Sequence, residues 1–170
     1  MIAPTLHTAR LTLRQLAPQD LPASATFWAS ERSRIMGGPW TDEEHLREVE
    51  QVLGQWVRHG FGLFAVTLQG SDQAIGGIGP FYPETHPEPE LGWSLWDASL
   101  EGKGIAFEAA TAARDWFFAT TDWQSAVSYT HPDNARSHRL CERMGAVVDG
   151  LAACPYPPPV RIYRHHRSRV

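Results

Sequence analysis

The chain has 170 residues, 42% hydrophobic and 20% charged, with a formal charge of −4 and a pI of about 6.0. That make-up fits one globular domain spanning 1–170, large enough for a core. It argues against a general nucleic-acid binder and against a membrane protein, since no apolar run approaches the roughly 18 residues that a span needs. Met1-Ile2-Ala3-Pro4-Thr5 lacks a basic start and an apolar stretch, so no signal peptide is expected. The two cysteines, Cys141 and Cys154, form no CxxC motif and no disulfide framework, which suits a reducing cytoplasm.

Arg10 to Arg14 alternates and predicts a strand with Leu11 and Leu13 inward. Pro18 opens a helix to about Ser30. Gly37-Gly38-Pro39-Trp40 is a break. Thr41-Asp42-Glu43-Glu44 is a capping box. It starts a helix whose apolar face is expected at Leu46, Val49, Leu53 and Trp56. Phe61 to Leu68 and Ala74 to Gly79 predict two strands around the turn Gln69 to Gln73. Glycines 76, 77 and 79 imply a close approach of backbone or ligand. Phe81 to Pro89, with three prolines, is irregular.

Glu90-Leu91-Gly92-Trp93-Ser94-Leu95-Trp96 predicts a strand. Glu101-Gly102-Lys103-Gly104-Ile105-Ala106 follows as a glycine-rich turn, and Phe107 to Thr120 as an alanine-rich helix. Strand, glycine turn and helix together present free N–H groups and a positive helix end to an anion. Ala126 to Thr130 is a strand, Ala135 to Met144 a helix stopped by Gly145, and Ala146 to Val148 a strand. The prolines at 155, 157, 158 and 159 precede a last strand near Val160 to His165. The basic tail Arg161 to Arg169 is then a strand with a frayed, solvated end. His131 and His138 are seven apart, and His165 and His166 point to opposite strand faces, so no metal site is expected. Most of the seven tryptophans belong to the core or to cleft walls.

Four segments in order resemble a GNAT-superfamily N-acetyltransferase of the RimJ/RimL-like branch. They are Thr8-Ala9-Arg10-Leu11-Thr12-Leu13-Arg14, Glu90-Leu91-Gly92-Trp93, Gly102-Lys103-Gly104-Ile105-Ala106-Phe107-Glu108-Ala109, and Asn134-Ala135-Arg136-Ser137 through Arg143-Met144-Gly145. The resemblance covers most of the chain. It implies an α/β (α+β) fold of order β-α-α-β-β-β-α-β-α-β-β, with a mixed, mostly antiparallel sheet and helices on both faces. It also implies acetyl-CoA as co-substrate, with no metal, and direct transfer of the acetyl group to a primary amine. That amine is a peptide N-terminus or a small molecule. Two positions depart from the superfamily pattern. Glu101 stands where Gln or Arg is usual, beside the expected pyrophosphate. Cys141 falls where the superfamily often has a tyrosine as acid; the branch resemblance points to Ser137 instead.

Amine acetylation needs a polarised thioester carbonyl, a deprotonated amine and a protonated leaving thiolate. The resemblance assigns Gly102, Lys103, Gly104, Ile105 and Ala106 to the pyrophosphate. It assigns Leu95 and Trp96 to the pantetheine amides and the carbonyl, and Asn134 to pantetheine or to the helix start. Glu90 is the candidate general base, through a water, with burial expected to raise its pKa. Ser137 is the candidate acid, with Tyr129 and water as reserves. The acceptor site is expected between the loops Arg34–Trp40 and Phe81–Pro89, walled by Trp40 and Phe81. Glu84, Glu88 and Glu90 give it the negative charge that draws a cationic amine. A non-catalytic acyl-CoA-binding module of degenerate fold is the competing reading; it has no turnover to lose on Glu90→Gln. A homodimer stays open.

Overall fold

A computed structural model describes residues 3–168. Strands β1 (Leu6–His7), β2 (Leu11–Arg14), β3 (Phe64–Leu68), β4 (Ala74–Phe81), β5 (Glu90–Leu95), β6 (Ser125–Thr130), β7 (Val147–Val148) and β8 (Arg161–His166) are joined by four α-helices. These are α1 (Leu21–Trp28), α2 (Asp42–His59), α3 (Ile105–Thr120) and α4 (Ala135–Arg143). The strands form one sheet in the order β1-β2-β3-β4-β5-β6-β8-β7. Every neighbouring pair is antiparallel except β5–β6. The expected element order holds, with the two-residue β1 added in front. No helix of the described residues is long and apolar enough to cross a membrane.

The core sits where α3 lies on the sheet face carrying Leu11, Leu13, Phe64, Val66 and Ile78. Ala109, Ala110 and Ala113 on α3 are buried, and their small side chains let the helix approach the strands closely. The strand register puts Gly77, Gly92 and Ser94 on the opposite face. There they line a pocket with Trp28 of α1 and Glu48 of α2. The expected close approach in β4 is real: a Cβ on Gly76 would sit 2.5 Å from the Ser94 carbonyl oxygen.

Three local expectations need correction. On α2, Leu46 is exposed, and the buried face is His45, Val49, Val52, Gln55 and Trp56. Polar residues take inward positions because they find partners. His45 Nε2 lies 2.9 Å from Ser24 Oγ, and Gln55 Oε1 accepts from the Tyr82 N–H at 3.0 Å. The third strand begins at Phe64 rather than Phe61, since the Leu63 carbonyl accepts from the Trp56 indole N–H at 3.2 Å instead of from a neighbouring strand. The tail is tied as far as Arg167, which donates to the Gln124 and Thr121 carbonyls; Arg169 lies outside the described residues. The capping box of α2 forms as expected, with Thr41 Oγ1 accepting from Glu44 N–H and Glu44 from Thr41 N–H.

Candidate functional site

β5 and β6 run parallel but pair at a single position, Glu90 with Val127. Beyond it the strands part toward their C-terminal ends. The Trp96 N–H donates to the Ile75 carbonyl at 2.8 Å. Strand alternation therefore turns the amides of Trp93 and Leu95 away from β4 and into the gap. The start of α3 stands at this opening. Gly102 and Gly104 have φ of +75° and +76°, a backbone state that glycine adopts readily. Gly104 is the N-cap of α3, and no side chain caps the helix. The first-turn N–H groups are left for whatever enters the cleft.

That cleft is a cavity of about 830 Å3. Leu95, Leu100, Ile105 and Phe107 form part of its lining, with Arg32, Arg136, Arg139 and Arg143 among its polar walls. An uncapped sixteen-residue helix with guanidinium groups beside it is the donor set a pyrophosphate requires, and the apolar lining suits a slender aliphatic arm. The residues present thus fit coenzyme A. Glu101 does not oppose this. Its carboxylate accepts from Arg32 at 2.6 Å and is also paired with Arg136. Arg32 further donates to the carbonyls of Leu95 at 2.8 Å and Trp96 at 2.6 Å. The acidic residue holds two cations at the cleft instead of facing an anion alone.

A second cavity, of about 580 Å3, opens on the other side of the β5 end. Both cavities share Ile35, Met36, Trp93, Ser94, Asn134 and Ser137. Trp40 forms one wall, its ring stacked on Trp28 with centroids 3.9 Å apart. Phe81, Tyr129 and Tyr156 add further aromatic surface. Glu90 enters from the first residue of β5. Its Oε2 lies 3.0 Å from His86 Nε2 and accepts from the Tyr156 hydroxyl at 3.4 Å, while His86 Nε2 and the Tyr156 oxygen are 3.1 Å apart. Glu48 of α2 lines the same cavity. Burial raises its pKa, and the nearby charge of Glu90 raises it further. Burial, with the Glu90 charge second, also holds the phenols of Tyr129 and Tyr156 well above their ordinary range.

The expected residues divide clearly. Leu95, Gly102, Gly104, Ile105, Ala106 and Asn134 line the first cavity. Lys103 lies outside it, in a neighbouring depression with Thr8 and Arg10, and its carbonyl accepts from Arg10 at 3.0 Å. Trp96 is absent from the wall: its amide is used in the β4 ladder and its indole donates to Ser94 Oγ at 3.1 Å. Asn134 Oδ1 caps α4 by accepting the Ser137 N–H at 3.1 Å. Ser137 Oγ accepts from the Trp93 indole at 3.1 Å, which leaves its own hydroxyl hydrogen free. The Tyr129 hydroxyl donates to the Ala153 carbonyl at 3.1 Å. Cys141 is fully buried, and desolvation pushes its thiol up to about 12.

Trp40, Phe81 and Glu90, expected at the acceptor site, line the second cavity, but Glu84 and Glu88 do not. Glu84 is exposed and pairs with Arg58 at 2.9 Å. Glu88 is held by Arg164, which also binds Asp149. Strand and loop geometry turns both away. His86, Tyr156 and Arg32 carry no periodic signal in the sequence, and Glu48 shares helical spacing with His45 and Val52 only once the buried face of α2 is known. Only the isolation of Tyr156 among prolines marks it as a side chain with somewhere to go.

The sequence profile of the acetyltransferase (GNAT) domain matches residues 10–147. An acetyltransferase from Agrobacterium tumefaciens strain C58, known as a crystal structure, superposes with a TM-score of 0.93 at 40% identity, over 98% of this chain and 96% of that one. The N-acetyltransferase p20 of Bacillus licheniformis, itself uncharacterised, is 26% identical over 86% of this chain and 84% of its own. RimL, a ribosomal alpha-N-protein acetyltransferase solved in complex with coenzyme A, shares the fold at a TM-score of 0.76 and 19% identity, each chain covered to 98%.

Proposed function

The chain belongs to the acetyltransferase (GNAT) domain family, and from that premise we propose that residues 1–170 act as one N-acetyltransferase domain of RimJ/RimL-like type. It moves an acetyl group from acetyl-CoA directly to a primary amine, either a protein N-terminus or a small molecule. One observation carries this reading. The cleft at the uncapped start of α3 and the pocket around Glu90 meet at Trp93, Ser94, Asn134 and Ser137. A nucleophile held in one pocket therefore faces a thioester held in the other.

The co-substrate supplies an activated acyl carbon. The chain's own groups do the rest. The α3 N-terminus and Arg136 hold phosphate charge. The Leu95 and Trp93 amides facing the gap bind the amides of a slender arm and polarise a carbonyl there. Glu90, acting through a water, takes the amine proton as the C–N bond forms. As the C–S bond breaks, the Ser137 hydroxyl donates a hydrogen bond to the departing thiolate while the Trp93 indole N–H holds the serine oxygen in place, and the proton taken up at Glu90 passes on to water. His86 and Tyr156 orient the Glu90 carboxylate.

Calorimetric titration with acetyl-CoA, on the native chain and on Gly104→Trp, tests the cofactor half. Saturable binding that the variant loses is expected, and no binding to the native chain overturns the reading. Glu90→Gln tests catalysis: turnover falls while acetyl-CoA binding stays. A protein that binds acetyl-CoA yet acetylates no amine before the substitution is a binding module and not an enzyme.

A further inference from the structure

The acceptor pocket contains one carboxylate that the reaction does not use. Each other carboxylate around the cleft is already engaged. Glu90 has His86 and Tyr156, Glu101 has Arg32 and Arg136, Glu88 has Arg164, and Glu84 has Arg58. Glu48 has no hydrogen-bond or ion-pair partner among the described residues, although it is half-buried and part of the pocket wall. On the same helix, Glu43, Glu44 and Glu50 are exposed. Glu48 is the one glutamate of α2 that turns inward.

An unpaired carboxylate in a desolvated pocket is unfavourable, and a neighbouring carboxylate makes it more so. A cation removes both costs. The surrounding surface suits one, since Trp28, Trp40, Phe81 and Tyr156 line the pocket and aromatic rings attract cations. Arg34 is the guanidinium on that wall, and it is exposed and paired with Glu31. A monoamine brings a single positive charge and must give it up to react, so Glu48 would again be left alone. An acceptor with a second, non-reacting cation keeps that charge throughout the reaction.

Resting on the acetyltransferase reading, we propose that Glu48 determines acceptor class: it holds the distal ammonium of a small diamine-type substrate while the reacting nitrogen faces Glu90 and Ser137. The pocket geometry, with one engaged and one unpaired carboxylate between aromatic walls, is what distinguishes this class from a simple alkylamine.

The probes are diaminobutane and diaminohexane against butylamine and hexylamine, measured by calorimetry on the native chain, Glu48→Gln and Glu50→Gln. A charge-assisted contact predicts that at least one diamine binds about tenfold tighter than its matched monoamine. Glu48→Gln erases that difference and Glu50→Gln preserves it. In kinetics, Glu48→Gln raises the diamine KM about tenfold with kcat little changed, as loss of a contact equal in ground and transition state requires. Equal binding of diamine and monoamine overturns the proposal, and so does an equal loss for both in Glu48→Gln. The binding readout needs no turnover. Glu48-dependent diamine binding without acetylation would sink the acetyltransferase reading alone, and acetylation without diamine preference would sink this one alone.

Discussion

The two cavities that meet at Ser137 are built by different means. The cleft beside α3 is made mainly of backbone: two left-handed glycines, an uncapped helix start and strand amides freed by the parting of β5 from β6. Its charged lining is mostly arginine. The pocket around Glu90 is made of side chains from three separate parts of the chain, namely Glu48, the neighbours His86 and Glu90, and Tyr156, and its unpaired charge is acidic. A backbone site reads a group that every member of a family uses. A side-chain site can be rewritten one residue at a time without disturbing the sheet.

The contrast can be broken from either side. The largest effect is expected for Glu90→Gln, which should lower kcat by about a hundredfold to ten-thousandfold. Its acetyl-CoA affinity should match the native chain, and a parallel loss of both would mean the two pockets are not separable. Next is Gly104→Trp, where the left-handed backbone and the filled cradle should weaken acetyl-CoA by about a hundredfold. Titration should show this with the fold intact by circular dichroism. Arg32→Ala removes the donor to Leu95, Trp96 and Glu101. It should raise the acetyl-CoA KM about tenfold and leave the acceptor KM alone; a shift in the acceptor KM would instead assign Arg32 to the other pocket.

The smallest effect concerns stability. Glu48 has a raised folded-state pKa, so the native state holds its proton more tightly than the unfolded chain. Stability is then lost as pH rises through the window between the unfolded and folded values. Glu48→Gln should therefore melt higher than the native chain at about pH 8, and the difference should shrink toward about pH 3, below the unfolded-state value, where the carboxyl is mostly neutral in both states. A variant that melts lower at the higher pH would show that Glu48 has a stabilising cation already.

The backbone half was legible because its signals are local. Glycine spacing, a strand before and an alanine-rich helix after lie within one stretch of chain, and the structure joins them as that order implies. Even there, Trp96 was misplaced, since strand alternation decides which amides a gap receives. Of the residues expected at the acceptor site, only Glu90, Trp40 and Phe81 fall on the wall of the second cavity. Glu84 and Glu88 looked equivalent to Glu90 by charge, yet Arg58 and Arg164 claim them. Glu48 was hidden by a helical pattern in which Leu46 looked inward and is exposed. Which acids are left without a partner is a three-dimensional question, and composition does not answer it.

The single Glu90–Val127 pairing gives the middle of this sheet a free edge. Free edges are usually hazards, because any extended chain can zip onto them and start aggregation. This one opens into a walled slot instead of bulk solvent. A slender molecule with spaced amide groups can dock along it as a strand does. The fold thus keeps the pairing appetite of an open β-edge and turns it toward the cleft beside α3.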